Sequence, residues 1–179
     1  RYMLLRIIFT AGYSILNLFI STFLLKSYGT FSGELITYSI IMRTVQPIGV
    51  FVALVLTRKF APKLTQVAGL LLFLLVLVLL CGFGDAVSGL YPIFAVLMGF
   101  ADAFFYGVNT MQMLAFTNDN NRDQFNGILG VITGIVSLFL PILSGYLIQY
   151  FPDFTGYRII FGISAACIGV SLIFTMGLD

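Results

Sequence analysis

Residues 67–80 read VAGLLLFLLVLVLL, and this run of hydrocarbon side chains decides the fold class. With its flanks the run is long enough to cross a bilayer, because a membrane helix needs about 20 mostly apolar residues. Five more apolar segments of similar length accompany it along the chain. The six predicted membrane helices cover about 7–25, 35–56, 64–83, 91–116, 125–148 and 157–176.

The composition excludes a soluble domain. Of the 179 residues, 60% are hydrophobic and only 9% are charged, whereas a typical soluble domain carries about 25% charged residues. We therefore predict an all-α polytopic membrane protein in which residues 1–179 form a single six-helix transmembrane domain. Only short loops remain outside the helices, so any function must lie among the helices or on those loops. We expect an integral membrane protein, of the bacterial cytoplasmic membrane, whose first partner is the lipid bilayer.

The basic residues indicate the orientation, because cytoplasmic loops collect Lys and Arg. With both termini inside, six basic residues lie inside and two lie outside, while Arg43 falls within the second helix. The inside set is Arg1, Arg6, Arg58, Lys59, Lys63 and Arg122, and the outside set is Lys26 and Arg158. The net charge of +2 is thus a topology signal, and we expect no nucleic-acid partner.

Helices 1, 2, 4 and 5 each carry polar residues at helical spacing, whereas helix 3 is almost pure hydrocarbon. Helix 3 is therefore predicted to face lipid on most sides. The four stripes favour a water-accessible cavity, although such side chains can also bond neighbouring helices. The stripes are Thr10, Tyr13 or Ser14, Asn17 and Ser21; Ser39, Arg43 and Gln46; Asp102, Tyr106, Asn109 and Gln112; and Asn126, Gly130, Thr133, Ser137, Pro141 and Ser144.

Arg43 and Asp102 are the most costly residues in the predicted bilayer, since a charge at the centre of a membrane helix costs about 2.5–3.5 kcal/mol on insertion scales. Counted from the outer ends of their helices, the two lie at similar depth, so they can contact each other. Two interpretations stay open. One is a static ion pair that locks the bundle. The other is an ion or substrate site in which Asp102 takes up a proton and Arg43 compensates its charge.

The side-chain inventory disfavours an enzyme. The sequence has no His, so Ser-His, Cys-His and zinc-protease arrangements are excluded. Its two cysteines, Cys81 and Cys167, fall inside apolar helices and are interpreted as buried packing residues. The phosphate-binding loop G-x-x-x-x-G-K-[ST] is missing too. We expect no metal and no cofactor other than a coupling proton.

The loop after helix 2 resembles a motif of the major facilitator superfamily, G-x-L-x-D-R-x-G-R-[RK]. Arg58 matches the arginine of that motif and Lys63 extends its basic run, whereas the glycine becomes Ala53 and the aspartate becomes Thr57. The resemblance implies that Arg58 and Lys63 act at a cytoplasmic gate. The positive-inside signal is an equally sufficient explanation of both residues.

Helix 5 resembles the antiporter motif of the same superfamily, G-x8-G-x3-G-P-x2-G-G. Gly127, Pro141 and Gly145 match it, whereas Val136, Leu140 and Ser144 do not. The order and spacing of the six helices and these motifs extend the resemblance over essentially the whole chain. The resemblance implies a six-helix N-terminal half built as a 3+3 repeat, with helices 1, 2, 4 and 5 around a central cavity.

The resemblance implies a secondary active transporter that moves a small organic solute by alternating access, together with a second six-helix half. Proton-coupled efflux is one form of such transport that the resemblance allows. On this hypothesis Asp102 couples the proton and Arg43 compensates its charge. The pathway is lined by Asn17, Gln46, Tyr106 and Asn109. Three alternatives stay open: a half-size carrier that works as a homodimer, a non-transporting membrane scaffold or assembly partner, and an enzyme or lipid-modifying protein.

Overall fold

A computed structural model describes residues 1–28, 33–83, 89–118, 120–151 and 154–177. The described residues form six α-helices, each long and apolar enough to cross a membrane. This confirms the predicted all-α membrane fold. The helices are α1 (Tyr2–Tyr28), α2 (Gly33–Lys59), α3 (Pro62–Phe83), α4 (Tyr91–Phe116), α5 (Arg122–Tyr150) and α6 (Thr155–Met176).

Five of the six helices extend beyond the predicted apolar segments by two to five residues at one end or both. The added turns are polar or charged, as at the end of α2, where Arg58 and Lys59 continue the helix. Such residues suit the ends of membrane helices, because their charged groups reach the aqueous interface. Hydropathy alone therefore underestimates helix length. The link between α2 and α3 shrinks to Phe60 and Ala61.

The helices pack in a pattern that matches an internal repeat. In the described residues, α1 packs against α5 and α6, α4 packs against α2 and α3, and α3 packs against α6. Exchanging α1, α2 and α3 for α4, α5 and α6 turns the α1–α5 pair into α4–α2 and the α1–α6 pair into α4–α3, and it leaves the α3–α6 pair unchanged. The helices that correspond to each other, α2 and α5, both contain a proline, Pro47 and Pro141.

One face of helix α3 is packed into the core. Leu70, Phe73, Leu77 and Leu80 are buried in the core, where α3 lies against α4 and α6. The buried residues lie on one face of α3, whereas Leu71, Leu75 and Val78 on its other sides are exposed, so the prediction that helix 3 faces lipid on most sides remains a prediction. Hydrocarbon side chains suit lipid and a protein core equally well, so hydropathy does not distinguish the two environments.

Small residues let α2 and α4 approach closely. Gly99, Ala103 and Gly107 recur every fourth residue on α4, opposite Gly49 and Ala53 of α2. A Cβ atom on Gly49 would lie only 2.6 Å from the Cβ of Ala103. Membrane helices associate through such stripes because van der Waals packing replaces the hydrophobic effect inside lipid.

We expect Gly99→Leu to destabilise the protein. Even the Cβ of the new side chain would lie 2.9 Å from the Met42 carbonyl oxygen and 3.0 Å from the Val45 Cβ. Overpacking a close interface of this kind costs about 1–3 kcal/mol. The free energy of unfolding, measured by SDS titration in mixed micelles, reports this loss.

The matched control is Gly162→Leu on α6, where nothing lies within 4 Å of an added Cβ. Both variants gain the same helix propensity, so the difference between them isolates the steric effect. Equal stabilities of the two variants would show that α2 and α4 do not approach as closely as described.

Candidate functional site

A polar cavity lies between α1, α4 and α5. Its volume is about 380 Å³, and three of the four predicted polar stripes contribute to its wall. This places Asn17 and Tyr106, both predicted to line a pathway, on one cavity. The lining residues are Thr10, Tyr13, Ser14, Asn17, Leu18, Tyr106, Ser137 and Pro141.

Hydroxyl groups from two helices meet in the wall of this cavity. The Ser14 hydroxyl donates to the Thr10 carbonyl at 2.5 Å and also lies 3.2 Å from the Ser137 hydroxyl of α5. Proline lacks an N–H, so Pro141 leaves the carbonyl of Ser137, four residues earlier, without its helical hydrogen bond. Ser137 therefore contributes a hydroxyl and a backbone acceptor at the same place.

Asp102 is buried beside the cavity, with 2% of its surface exposed. The Tyr13 hydroxyl of α1 donates to Oδ2 of Asp102 at 3.4 Å, whereas Oδ1 has no hydrogen-bond partner among the described residues. The nearby Tyr38 hydroxyl of α2 is also buried and unbonded in the described part of the chain. Tyr13, which lines the cavity, thus separates the carboxylate from it.

Arg43 does not pair directly with Asp102. Its Nη1 donates to the Gln46 side-chain oxygen at 3.3 Å, and the residue is exposed. Its charge acts on both Asp102 and Tyr13 through space. The static ion pair, one of the two interpretations of the sequence, is therefore absent from the described structure. One turn of helix places Arg43 and Gln46 on the same face of α2, and this local contact gives the guanidinium one hydrogen bond.

Asn109 lies at the end of the bundle where α1 begins. The Tyr2 hydroxyl donates to the side-chain oxygen of Asn109 at 2.5 Å and also to its backbone carbonyl at 3.1 Å. The Tyr2 ring stacks on Phe116 with centroids 5.3 Å apart. The predicted pathway residue Asn109 is thus hydrogen-bonded to α1, and this contact joins α1 to α4 at that end of the bundle.

Arg6 is a cation that the sequence assigned to topology alone. Its guanidinium carbon lies 5.3 Å from the ring centroid of Phe105 and 5.7 Å from that of Tyr106. Cation–π contacts of this kind stabilise by about 0.5–2 kcal/mol. Arg6 precedes Thr10 by one helical turn, so extending the helix 1 stripe backwards would have found it.

Arg58 and Lys63 flank the short link between α2 and α3. Arg58 is exposed in the last turn of α2. Lys63 lines a second, more apolar pocket of about 320 Å³ together with Met111, Gln112 and Phe116 of α4. The link thus lies against the end of α4. A relative motion of α2, α3 and α4 would change this contact.

The predicted helix 5 motif residues differ in their surroundings. Pro141 lines the cavity, whereas nothing lies within 4 Å of a Cβ built on Gly127 or Gly145. Only Leu129 and Ser144 of α5 are buried. A helix with small residues and so little packing retains room for another helix against it.

The described residues contain no cluster of three or more groups able to hold a metal ion. Both cysteines are free thiols at intermediate exposure, so they are not paired with each other.

Comparison with known proteins identifies the family resemblance over almost the whole chain. Residues 2–178 match the family model described as Major Facilitator Superfamily. The chain is 22% identical to "Uncharacterized protein YqgE" of Bacillus subtilis (strain 168) over 166 residues, which are 93% of this chain and 38% of that protein.

A second similar protein is "Uncharacterized protein in sodM 3'region" of Geobacillus stearothermophilus. The two are 26% identical over 153 residues, which are 86% of this chain and 71% of that protein. The chain thus spans well under half the length of the first relative and about seven tenths of the second.

Proposed function

The chain belongs to the major facilitator superfamily, a family of membrane transporters, and from this premise we propose that it is the N-terminal half of a secondary active transporter. It would move a small organic solute across the membrane by alternating access. The polar cavity between α1, α4 and α5 is the observation that carries the proposal. Its volume of about 380 Å³ lies in the range of small-molecule sites.

The cavity offers a solute hydrogen bonds rather than reactive groups. Thr10, Ser14 and Ser137 present hydroxyls, Asn17 presents an amide and Tyr106 presents a phenol. Such groups bind and orient a polar molecule, and among the described lining residues only the Tyr13 hydroxyl bonds a carboxylate, that of Asp102. A binding and release cycle therefore fits the lining better than a chemical reaction does.

Proton coupling is assigned to Asp102. Its unbonded Oδ1 can accept a proton, and the Tyr13 hydroxyl links Oδ2 to the wall of the cavity. A solute that displaces Tyr13 would change the environment of the carboxylate, so solute and proton binding would be coupled through one side chain. The through-space charge of Arg43 and the amide of Gln46 complete this polar region.

A second six-helix half completes the proposed carrier. The apolar surfaces of α2 and α5 are largely open, with Phe51 69% and Val131 64% exposed. The second half would be part of the same protein or a second copy of this chain. The motif glycines Gly127 and Gly145 would accommodate it, and Arg58 and Lys63 would act at the cytoplasmic gate between conformations. The direction proposed is export, from a bacterial cytoplasmic membrane.

Solute transport by reconstituted vesicles tests the function. Vesicles that contain the protein are screened with a panel of organic acids, sugars, amines and hydrophobic drugs, with and without a proton gradient. At least one solute should cross faster than in protein-free vesicles, and faster still with the gradient. If every solute leaks at the protein-free rate, the chain is not a carrier and the alternative of a membrane scaffold is favoured.

A further inference from the structure

Arg6 has hydrogen-bonding capacity that the described structure leaves unused. Its Nε and Nη1 atoms are buried and have no partner among the described residues. The rings of Phe105 and Tyr106 accept its charge over their faces, but a ring face does not satisfy N–H groups that point along the guanidinium edge. Two charged donors are therefore desolvated without an acceptor to compensate them, which is a costly arrangement that an incoming acceptor would relieve.

No acidic side chain of the described residues forms an ion pair with Arg6. On α1, Arg6 precedes Tyr13 by seven residues, which is about 10 Å along the helix axis. Asp102, the buried acid of this region, accepts its hydrogen bond from Tyr13 instead. A second cation over aromatic rings, the exposed Lys26, lies at the opposite end of α1 against Phe154 and Tyr157.

Arg6 faces the same side of α1 as the polar cavity. Arg6, Thr10, Tyr13 and Asn17 follow one another at intervals of four, three and four residues, which places them on one helical face. Tyr106 joins the two places, because it lines the cavity and also lies against the guanidinium. Arg6 does not itself line the cavity, and the ring of Tyr106 lies between its guanidinium and the cavity wall.

We propose that the transported solute carries a carboxylate or phosphate-type oxyanion and that Arg6 binds it; this inference rests on the proposed transport function. The planar fork of a guanidinium matches the geometry of both oxyanions. The hydroxyls of Thr10, Ser14 and Ser137 then bind the uncharged polar part of the same molecule. A soluble solute fits better than a lipid, because six of the eight lining residues carry a hydroxyl or an amide group.

The test measures oxyanion binding directly, apart from transport. The purified protein, in neutral detergent and at constant ionic strength, is titrated with inorganic phosphate, with benzoate, and with benzamide as the uncharged analogue of benzoate. The unfolding midpoint, followed by circular dichroism, rises when a ligand binds the native state. Phosphate or benzoate should raise it in the wild type, and benzamide should not.

Three variants locate the effect. Arg6→Gln should weaken binding of the stabilising oxyanion by at least about tenfold, which corresponds to about 1.4 kcal/mol. Arg6→Lys retains the charge without the fork and should give an intermediate affinity. Lys26→Gln removes the matched cation at the other end of α1 and should bind as the wild type does.

Several outcomes overturn the proposal. The first is that neither oxyanion stabilises the wild type. The second is that Arg6→Gln and Arg6→Lys both bind the oxyanion as the wild type does. The third is that Lys26→Gln loses binding as fully as Arg6→Gln. If phosphatidylglycerol raises the midpoint through Arg6 and soluble oxyanions do not, the ligand is a lipid headgroup and the solute proposal fails. Oxyanion binding through Arg6 without any vesicle transport would retain the site and reject the transport function. Transport at the wild-type rate by Arg6→Gln would retain the transport function and reject the site at Arg6.

Discussion

Replacing Asp102 with asparagine is expected to abolish proton-driven accumulation of solute while leaving solute exchange intact. The amide has nearly the same shape as the carboxylate and can still accept the Tyr13 hydrogen bond. It cannot take up and release a proton, so the solute would move only down its own gradient. The cavity wall itself is unchanged, because Asp102 is buried behind Tyr13.

The expected effect is large. One proton moving through 100 mV supplies about 2.3 kcal/mol, which supports a solute gradient of roughly 50-fold. In vesicles containing Asp102→Asn this gradient should vanish, whereas counterflow of labelled against unlabelled solute should continue at a similar rate. The matched control is Asp123→Asn, the same change at an exposed acid in the first turn of α5.

If vesicles with Asp102→Asn accumulate solute as the wild type does, the coupling role of Asp102 is wrong. If Asp123→Asn loses accumulation too, the effect is a general one of removing acidic groups. If the variant loses both counterflow and accumulation, Asp102 holds the bundle together instead of coupling a proton.

The six helices could be predicted from the sequence because a bilayer imposes one strong requirement, about 20 apolar residues per crossing. The predicted helix 4, 91–116, agrees with α4 at both ends. The ends of α3 at 83 and of α6 at 176 agree as well. The other ends were underestimated because turns such as Arg122 to Gln124 on α5 continue the helix beyond the apolar core. Which helices pack together was less accessible, as the burial of Phe73 on α3 shows.

The site could be predicted in part. Helical spacing brought Asn17 and Tyr106 to one cavity, because a stripe identifies a face whatever that face contacts. The pairing of Arg43 was not predictable, since a long side chain on an exposed face has several partners within reach. The role of Arg6 was obscured because a basic residue near a helix end normally reports topology. Tyr38 lies next to Ser39 but off the stripe that Ser39, Arg43 and Gln46 form, so it gave no periodic signal.

The second large expected effect is a difference in water access between two adjacent residues of α5. Ser137 lines the cavity, whereas Leu138, one residue further, lies on the open apolar surface with 60% exposure. The two positions have nearly the same depth, about 1.5 Å apart along the helix. A cysteine at either position therefore samples the same part of the membrane but a different face of the helix.

The measurement is the rate at which a membrane-impermeant thiol reagent labels Ser137→Cys and Leu138→Cys in vesicles. Cys81→Ala and Cys167→Ala first remove the native thiols. A thiol must ionise to react, and ionisation requires water. The central claim, that α1, α4 and α5 enclose a solute pathway, predicts rapid labelling of Ser137→Cys and negligible labelling of Leu138→Cys. Equal protection of both would show a dry, packed bundle and contradict it.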